Sequence, residues 1–279
     1  MPLSDLPIEI YINIFSFLAS SRSTLISLIL VSKDFAAEAR RTLYTNLRFS
    51  DSARSTSACA RLLRRLPTHP CSPLVRSLEI ERLEAHRISV DRLNAALRAL
   101  HGLKIFQTSY LDPSNGFTIT EVMKGVDFTL ERFSIDNTIS KPEMALLSSS
   151  FGRKITELEV RDIKAPPSEY TLPWLQTLCV SSLTGEALEL INKCRVRRVC
   201  VYLVSLPAST IDPFYDLSSI VSLSFQANSA PLDLVFCPSL RFLHVNNARS
   251  EVSLSETHHS PNERPVLTIL NRTVWLWGV

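Results

Sequence analysis

Glycine is scarce in this chain. Only six of the 279 residues are glycine, whereas average usage would give about 20. None of their spacings forms G-x-G-x-x-G, G-x-x-x-x-G-K-[ST] or G-x-S-x-G, the patterns that cradle nucleotide phosphates or expose a hydrolase serine. Phosphate-binding loops and nucleophile elbows of these types are therefore excluded.

Long apolar runs are also missing. The longest, residues 25–31, is far shorter than the roughly 20 residues that a membrane helix needs, so we expect no membrane association. No Lys or Arg precedes Arg22, whereas Asp5 and Glu9 do, which is the wrong charge order for a secretory leader. The formal net charge of +3 is too small to indicate nucleic acid binding. We expect a cytoplasmic or nuclear protein.

Paired cysteines and clustered metal ligands are missing as well. The six cysteines form neither C-x-x-C nor a zinc-ligand spacing, so we expect free thiols in a reducing compartment, no metal and no cofactor. His258 and His259 are adjacent, but neighbouring side chains diverge and no third ligand is close in sequence. A catalytic triad assembled in space stays open, but no residue pattern supports one. We therefore predict that the chain is not an enzyme.

The first fifty residues predict three short helices. The apolar residues of the first helix recur at helical spacing, namely Ile10, Ile14, Phe17 and Leu18. Asp5 is a candidate N-cap of this helix, and Ser32 can cap the third. Because three short helices bury too little apolar surface to be stable alone, we expect them to contact a partner or a neighbouring domain.

Three patterns in this segment carry a family resemblance. They are Leu6-Pro7-x-Glu9-Ile10-x-x-x-Ile14-Phe15-Ser16-Phe17-Leu18, Leu28-x-Leu30-Val31-Ser32-Lys33-x-Phe35 and Ala39-Arg40-Arg41-x-Leu43-Tyr44-x-x-Leu47. Residues 1–49 thereby resemble an F-box of the kind found in fungal F-box proteins, with Phe35 where many F-boxes have Trp. The resemblance implies docking to a Skp-family adaptor and, through it, to a cullin scaffold. It places five residues near the adaptor: Leu6, Pro7, Ile10, Ile14 and Leu18. The alternative is that these residues form only the core of a small helical subdomain.

Residues 74–279 contain a repeated apolar pattern. The template apolar-x-x-apolar-x-apolar begins at Val75, Leu103, Leu130, Ile155, Leu175, Val196, Ile220 and Leu240, and Leu267/Leu270 is a weak ninth match. Consecutive matches are 20–28 residues apart, which lies within the period of leucine-rich repeats. The segment resembles a degenerate leucine-rich-repeat array, which implies an α/β fold with a curved parallel sheet. Helices are predicted at 88–100 and 183–194. A doubly wound α/β domain is the alternative, but several connectors are too short for packed helices.

The predicted strands have one inward and one outward face. The last two apolar residues of each strand face the core, and the residue between them faces the concave surface. Cys179 and Cys200 should then occupy equivalent positions on neighbouring strands. Acidic residues also project from this face, and we predict that they bind a basic segment of a protein substrate: Glu79, Glu81, Asp136, Glu157 and Glu159. Ordinary solvated polarity, in part neutralised by Arg132 and Arg161, is the alternative.

The sequence therefore predicts three regions, an F-box at 1–49, a linker at 50–73 and a leucine-rich-repeat-like solenoid at 74–279. The sequence of the linker predicts an arginine-rich helix whose leucines cap the first repeat. Its arginines are either solvated or in contact with an acidic partner. The two resemblances together imply a substrate-receptor subunit of an SCF-type cullin-RING ubiquitin ligase, which would act in ubiquitin-dependent degradation. A non-catalytic repeat scaffold whose F-box recruits no ligase is the alternative.

Overall fold

The computed structural model describes residues 7–49, 53–81, 88–109, 111, 117–149, 151–164, 170–202, 217–226, 239–246, 266–270 and 273–277. They form an α/β fold of short parallel strands and helices, as the sequence predicts. The chain divides into two compact units, Met1–Phe128 and Thr129–Val279. This division reports compactness only, so the functional boundaries at 49 and 73 stay a prediction. None of the helices in the described part combines the length and apolarity needed to cross a bilayer.

The first unit begins with three helices, α1 (Ile8–Phe17), α2 (Arg22–Leu28) and α3 (Lys33–Thr45). Pro7 is the N-cap of α1, and the predicted cap, Asp5, lies outside the described residues. The Ser32 hydroxyl caps α3 by accepting a hydrogen bond from the Phe35 backbone N–H at 3.2 Å, as predicted. The short helices are held mainly by packing, because isolated helices of this length are unstable in water.

The core shared by these helices is small and aromatic. Phe15, Leu25 and Ala39 are completely buried at its centre. The ring of Phe35 lies 5.6 Å from that of Tyr11 and 5.8 Å from that of Phe15, measured between centroids. Phe35 of α3 is partly buried and packs against the core through these two rings of α1.

The rest of the first unit continues with β1 (Asn46–Phe49), α4 (Ala53–Arg65), β2 (Ser77–Ile80), α5 (Val90–Arg98), β3 (Ile105–Thr108) and α6 (Ile119–Val122). β1 pairs with β2 and β2 with β3, both in parallel. The predicted linker helix is α4, which buries Cys59 and Leu63 and exposes Arg61 and Arg64. The Asn94 side chain of α5 donates to the carbonyls of Val122 and Lys124 at 2.9 and 2.8 Å, tying α5 to the end of α6.

β1 lies inside the segment that the sequence predicts to be wholly helical. Its residues do satisfy the repeat template, because Tyr44, Leu47 and Phe49 have the required spacing. Leu47 and Phe49 are buried in the structure. Val75 begins the next match 31 residues later, which exceeds the leucine-rich-repeat period. A search for matches at that period therefore does not predict β1.

The second unit contains six parallel strands in chain order, with two helices between them. They are β4 (Arg132–Ile139), α7 (Lys141–Leu147), β5 (Glu157–Ile163), β6 (Thr177–Val180), α8 (Gly185–Cys194), β7 (Arg198–Val201), β8 (Ser222–Gln226) and β9 (Phe242–Asn246). Each strand pairs in parallel with the next. Helix α8 matches the predicted 183–194 segment, and the Thr184 hydroxyl caps it.

The weak ninth repeat is wrong as a parallel strand. Leu267 and Leu270 lie on β10 (Val266–Leu270), which pairs antiparallel with β11 (Thr273–Trp277). The template's third apolar place falls on Arg272, so the pattern is incomplete here. Two strands separated by two residues favour a hairpin over a parallel crossover.

The predicted inward positions of the strands are buried in the structure, and so are two residues at outward positions, Ser134 and Cys179. The two inward positions are buried in β2, β4, β5, β6 and β7, as Leu78 and Ile80 illustrate. The residue just before each of β5, β6, β7 and β8 extends the backbone hydrogen bonding: the N–H groups of Gln176, Arg197 and Val221 donate to the carbonyls of Thr156, Gln176 and Arg197, respectively. Each strand thus adds one apolar layer and one set of backbone hydrogen bonds to its neighbours.

Candidate functional site

Helix α1 carries two sets of apolar side chains, one exposed and one packed into the core. Ile10, Ile14 and Phe17 are spaced by four and three residues, so they share one side of the helix. They are 42, 40 and 85% exposed, respectively. We call these three residues the outer stripe. A stripe of large apolar side chains left in water is the usual mark of an interaction surface.

A neighbouring side of α1 faces the core. Phe15 is buried there, and Tyr11 and Leu18 pack against the same cluster. Of the five residues predicted to contact the adaptor, Ile10, Ile14 and Pro7 are exposed, Leu18 is half-buried against the core, and Leu6 lies outside the described residues. Phe17 was not among the five, although its spacing from Ile10 and Ile14 indicates the same helix side.

More apolar surface is exposed at the end of α2. Ile26, Leu30 and Val31 are 52, 86 and 63% exposed. Among the described residues, seven of the ten exposed large apolar side chains lie between Ile10 and Val31. The helical segment therefore concentrates the exposed apolar surface found in the described part of the chain.

The outward strand face of the first unit is ion-paired. Arg48 of β1 lies 3.4 Å from the Glu79 carboxylate and 3.2 Å from that of Glu81. The parallel register explains this, because Arg48 is directly opposite Glu79. Sequence reasoning missed Arg48 because it missed β1.

The outward face of the second unit is also locally paired. Arg132 contacts Glu157 at 2.5 Å, and Arg161 donates two hydrogen bonds of 2.9 Å to Asp136. Glu159 accepts hydrogen bonds from the hydroxyls of Ser134 and Tyr202, both at 2.7 Å. Together with Arg48, these partners satisfy every acid that the sequence nominates for substrate binding: Glu79, Glu81, Asp136, Glu157 and Glu159.

These pairs limit what the acids can do at a distance. Exposed pairs of this kind contribute about 0–1 kcal/mol each, and a neutral pair exerts little field beyond the Debye length of about 10 Å. The three arginines compensate three of the five carboxylates, whereas the hydroxyls that bind Glu159 carry no charge, so these residues combine fixed hydrogen-bonding groups with a reduced negative charge. Binding of a basic substrate segment to these acids stays a prediction.

Two cysteines adjoin Glu159 and Tyr202 on this face. Cys179 of β6 is directly opposite Cys200 of β7 in the parallel register, which confirms the predicted equivalence, and both thiols are free. The pKa of Cys200 is lowered, chiefly because its sulfur accepts a hydrogen bond from the Cys179 thiol. The positive charge of Arg198 lowers it further. The pKa of Cys179 is raised by that shared hydrogen bond and by burial. Cys200 is therefore the thiol that ionises first.

The contacts of His69 are structural. His69 stacks on Tyr44 with centroids 4.9 Å apart, and its Nδ1 accepts from the Cys71 backbone N–H at 3.2 Å. His69 and Cys71 therefore do not form a nucleophile–base pair through their side chains in this arrangement. Across the described ranges, no group of three His, Cys, Asp or Glu side chains could hold a metal ion, and His258 and His259 lie outside them.

The comparisons with known proteins add no family to these observations. Neither a protein-family model nor a curated protein matches this chain. The features of this chain that bear on function are therefore the outer stripe, the repeated strands and their paired outward face.

Proposed function

We propose that this chain is the substrate-receptor subunit of an SCF-type cullin-RING ubiquitin ligase. Its N-terminal helices dock a Skp-family adaptor, and its strand repeats bind a protein substrate. The chain itself performs no catalysis and works in the cytoplasm or nucleus, holding the substrate near ubiquitin carried by other subunits. The observation that carries this proposal is the outer stripe on α1.

The outer stripe needs a covering surface. The inner side of α1 already supplies the core contacts, through Tyr11, Phe15 and Leu18, so Ile10, Ile14 and Phe17 are not required to build that core. Complete burial of a fully exposed side chain of this size stabilises a complex by about 1.5–3 kcal/mol, so covering Ile10 and Ile14, which are 42 and 40% exposed, contributes roughly 1 kcal/mol each. The stripe lies within the segment whose sequence resembles an F-box, and this supports a Skp-family adaptor as the covering protein.

The strand repeats support the second half of the proposal. Short parallel strands pair with their neighbours in chain order within each unit, as expected of leucine-rich-repeat-like units that bury apolar residues by stacking. We propose a solenoid of this type, in which the outward strand face contacts the substrate. The fixed carboxylates, guanidinium groups and hydroxyls on that face can exchange their local pairs for polar groups of a substrate.

Adaptor capture tests the first half. The full chain is co-expressed with a Skp-family adaptor, and the affinity of the purified proteins is measured by calorimetry. The double variant Ile10→Asp/Ile14→Asp should weaken binding by about 30-fold or more, since it removes roughly 2 kcal/mol of apolar burial and introduces charge into the interface. Asn13→Ala, an exposed change on the same helix, should bind as the wild type does.

Circular dichroism of each variant verifies that the helices are intact. Undiminished binding by a folded Ile10→Asp/Ile14→Asp protein would show that the outer stripe is not the docking surface. A wild-type chain that is folded but never captures an adaptor would contradict the ligase role and favour the non-catalytic scaffold.

Charge reversal tests the second half. Glu79→Lys and Glu159→Lys are compared with Glu189→Lys, which lies on α8 away from the strand face, by mass spectrometry of co-purified proteins. We expect the first two variants to lose substrate proteins while retaining the adaptor. An unchanged set of substrates would assign recognition to other repeats or to residues 253–265, which lie outside the described ranges.

A further inference from the structure

We propose that Cys179 and Cys200 form a dithiol modification site, which reacts with a low-molecular-weight disulfide such as oxidised glutathione and closes into a reversible cross-strand disulfide. The site goes beyond the proposed ligase role and does not depend on it. The geometry that carries it is the direct pairing of the two residues across β6 and β7.

The register brings the two sulfur atoms within bonding reach. Neighbouring strands are about 4.8 Å apart, and disulfides join residues whose Cα atoms are about 4.4–6.8 Å apart. The two side chains leave the sheet on the same side, because paired residues of parallel strands share a face. They already share a hydrogen bond. Closing the disulfide therefore requires side-chain rotation rather than a shift of either strand.

The surroundings give the two thiols different roles. Cys179 is only 6% exposed, whereas Cys200 is half-buried and reaches solvent. The hydrogen bond with Cys179 favours the thiolate of Cys200 most and Arg198 adds to this, while burial, Glu157 and Glu159 oppose it, so that its pKa is lowered. Both carboxylates are engaged elsewhere, Glu157 by Arg132 and Glu159 by Ser134 and Tyr202. Cys200 is consequently the attacking thiol, and Cys179 is the resolving thiol.

The exchange balances in two steps. The Cys200 thiolate attacks one sulfur of the glutathione disulfide, which forms a mixed disulfide and releases one glutathione thiolate. Cys179 then gives up its proton and attacks the Cys200 sulfur, which releases the second glutathione and leaves the Cys179–Cys200 disulfide. The protein loses two hydrogens, and one disulfide is reduced to two thiols. An excess of reduced glutathione reverses both steps.

Metal binding is a poorer interpretation of this pair. A structural zinc site takes four ligands, and no set of three potential ligands exists among the described residues. The neighbours of the two thiols on this face are hydroxyls, paired carboxylates and Arg198. Thiol–disulfide exchange needs only the two sulfur atoms, which the register already supplies.

The test equilibrates the full chain with glutathione at several ratios of thiol to disulfide, then quenches with acid and alkylates free thiols with N-ethylmaleimide. Trypsin and chymotrypsin together can place Cys179, Cys194 and Cys200 on different peptides, because Lys193, Arg195 and Tyr202 lie between or beside them. Mass spectrometry should find a peptide linked through Cys179 and Cys200. Cys194→Ser, which removes a nearby half-buried thiol, should leave that link unchanged.

The single variants separate the two roles. Cys179→Ser should retain glutathione on Cys200, because the resolving thiol is gone, and Cys200→Ser should leave Cys179 unmodified. Phenylarsine oxide, which binds only paired thiols, should protect both cysteines of the wild-type protein from alkylation. Alkylation of both cysteines at every glutathione ratio, with no protection by phenylarsine oxide, would overturn the proposal. So would equal modification of Cys179 in the Cys200→Ser variant.

Discussion

Replacing Phe15 by alanine should unfold the N-terminal helices without unfolding the second unit. Phe15 is completely buried at the centre of a core in which, among the described residues, Leu25 and Ala39 are the other fully buried members. Phe→Ala changes in cores cost about 3–5 kcal/mol. Small helical segments rarely have more than about 3–5 kcal/mol of stability from their own core. The substitution therefore removes about as much free energy as the helices have.

Hydrogen exchange read by mass spectrometry locates the loss. In Phe15→Ala, amides of α1, α2 and α3 should exchange at the rate of an unfolded chain, whereas those of β5, β6 and β7 keep their wild-type protection. Phe17→Ala is the matched control, because it makes the same chemical change two residues away at a position that is 85% exposed. It should change stability by no more than about 0.5 kcal/mol. Retained protection in the helices of Phe15→Ala, or equal loss in Phe17→Ala, would refute the assignment of the two sides of α1.

Two further outcomes follow from particular sites. Gly152→Ala should lower the melting temperature by several degrees. A Cβ at Gly152 would lie 1.7 Å from the carbonyl oxygen of Leu147, at the end of α7, so the backbone would have to move. An unchanged melting temperature would show that the turn is loosely packed. Burial raises the pKa of Cys59 from its ordinary value of 9.0 to about 12, so the unfolded chain ionises first and stability should fall as pH rises from about 9 towards 12. Cys59→Ala should reduce that fall in urea denaturation curves, and an identical pH dependence in both proteins would contradict the burial of this thiol.

The strands could be predicted because their signal is purely local. Each strand needs only an inward pair of apolar residues with one residue between them, as in Leu178 and Val180, and burial against neighbouring strands enforces that pattern. The sequence pattern did not predict β1, because Leu47 and Phe49 directly follow a helix and the connector to β2 contains the whole of α4. The spacing between successive matches depends on the length of the connector between two strands, and this length varies along the chain.

The partners of the outward side chains were harder to predict. The acids at Glu79 and Glu159 follow from alternation alone, but their pairing with Arg48 and Tyr202 depends on which strands are adjacent. Leu18 shows the same limit on a helix, because helical spacing predicts a shared side for several residues without saying which side the core takes. Exposure distinguished Phe17 from Leu18, and exposure is a property of the packed structure.

The chain-order pairing in the second unit has a kinetic consequence. Arg132 pairs with Glu157, Glu157 with Thr177, and Thr177 with Arg198, so each pairing joins residues only 20–25 positions apart along the chain. The entropy lost on closing a loop grows slowly with its length, and it is therefore nearly the same at every step. No strand from β5 to β9 has to wait for a distant segment. A chain emerging from the ribosome can add each strand to the one before it, so that synthesis and folding proceed in the same direction.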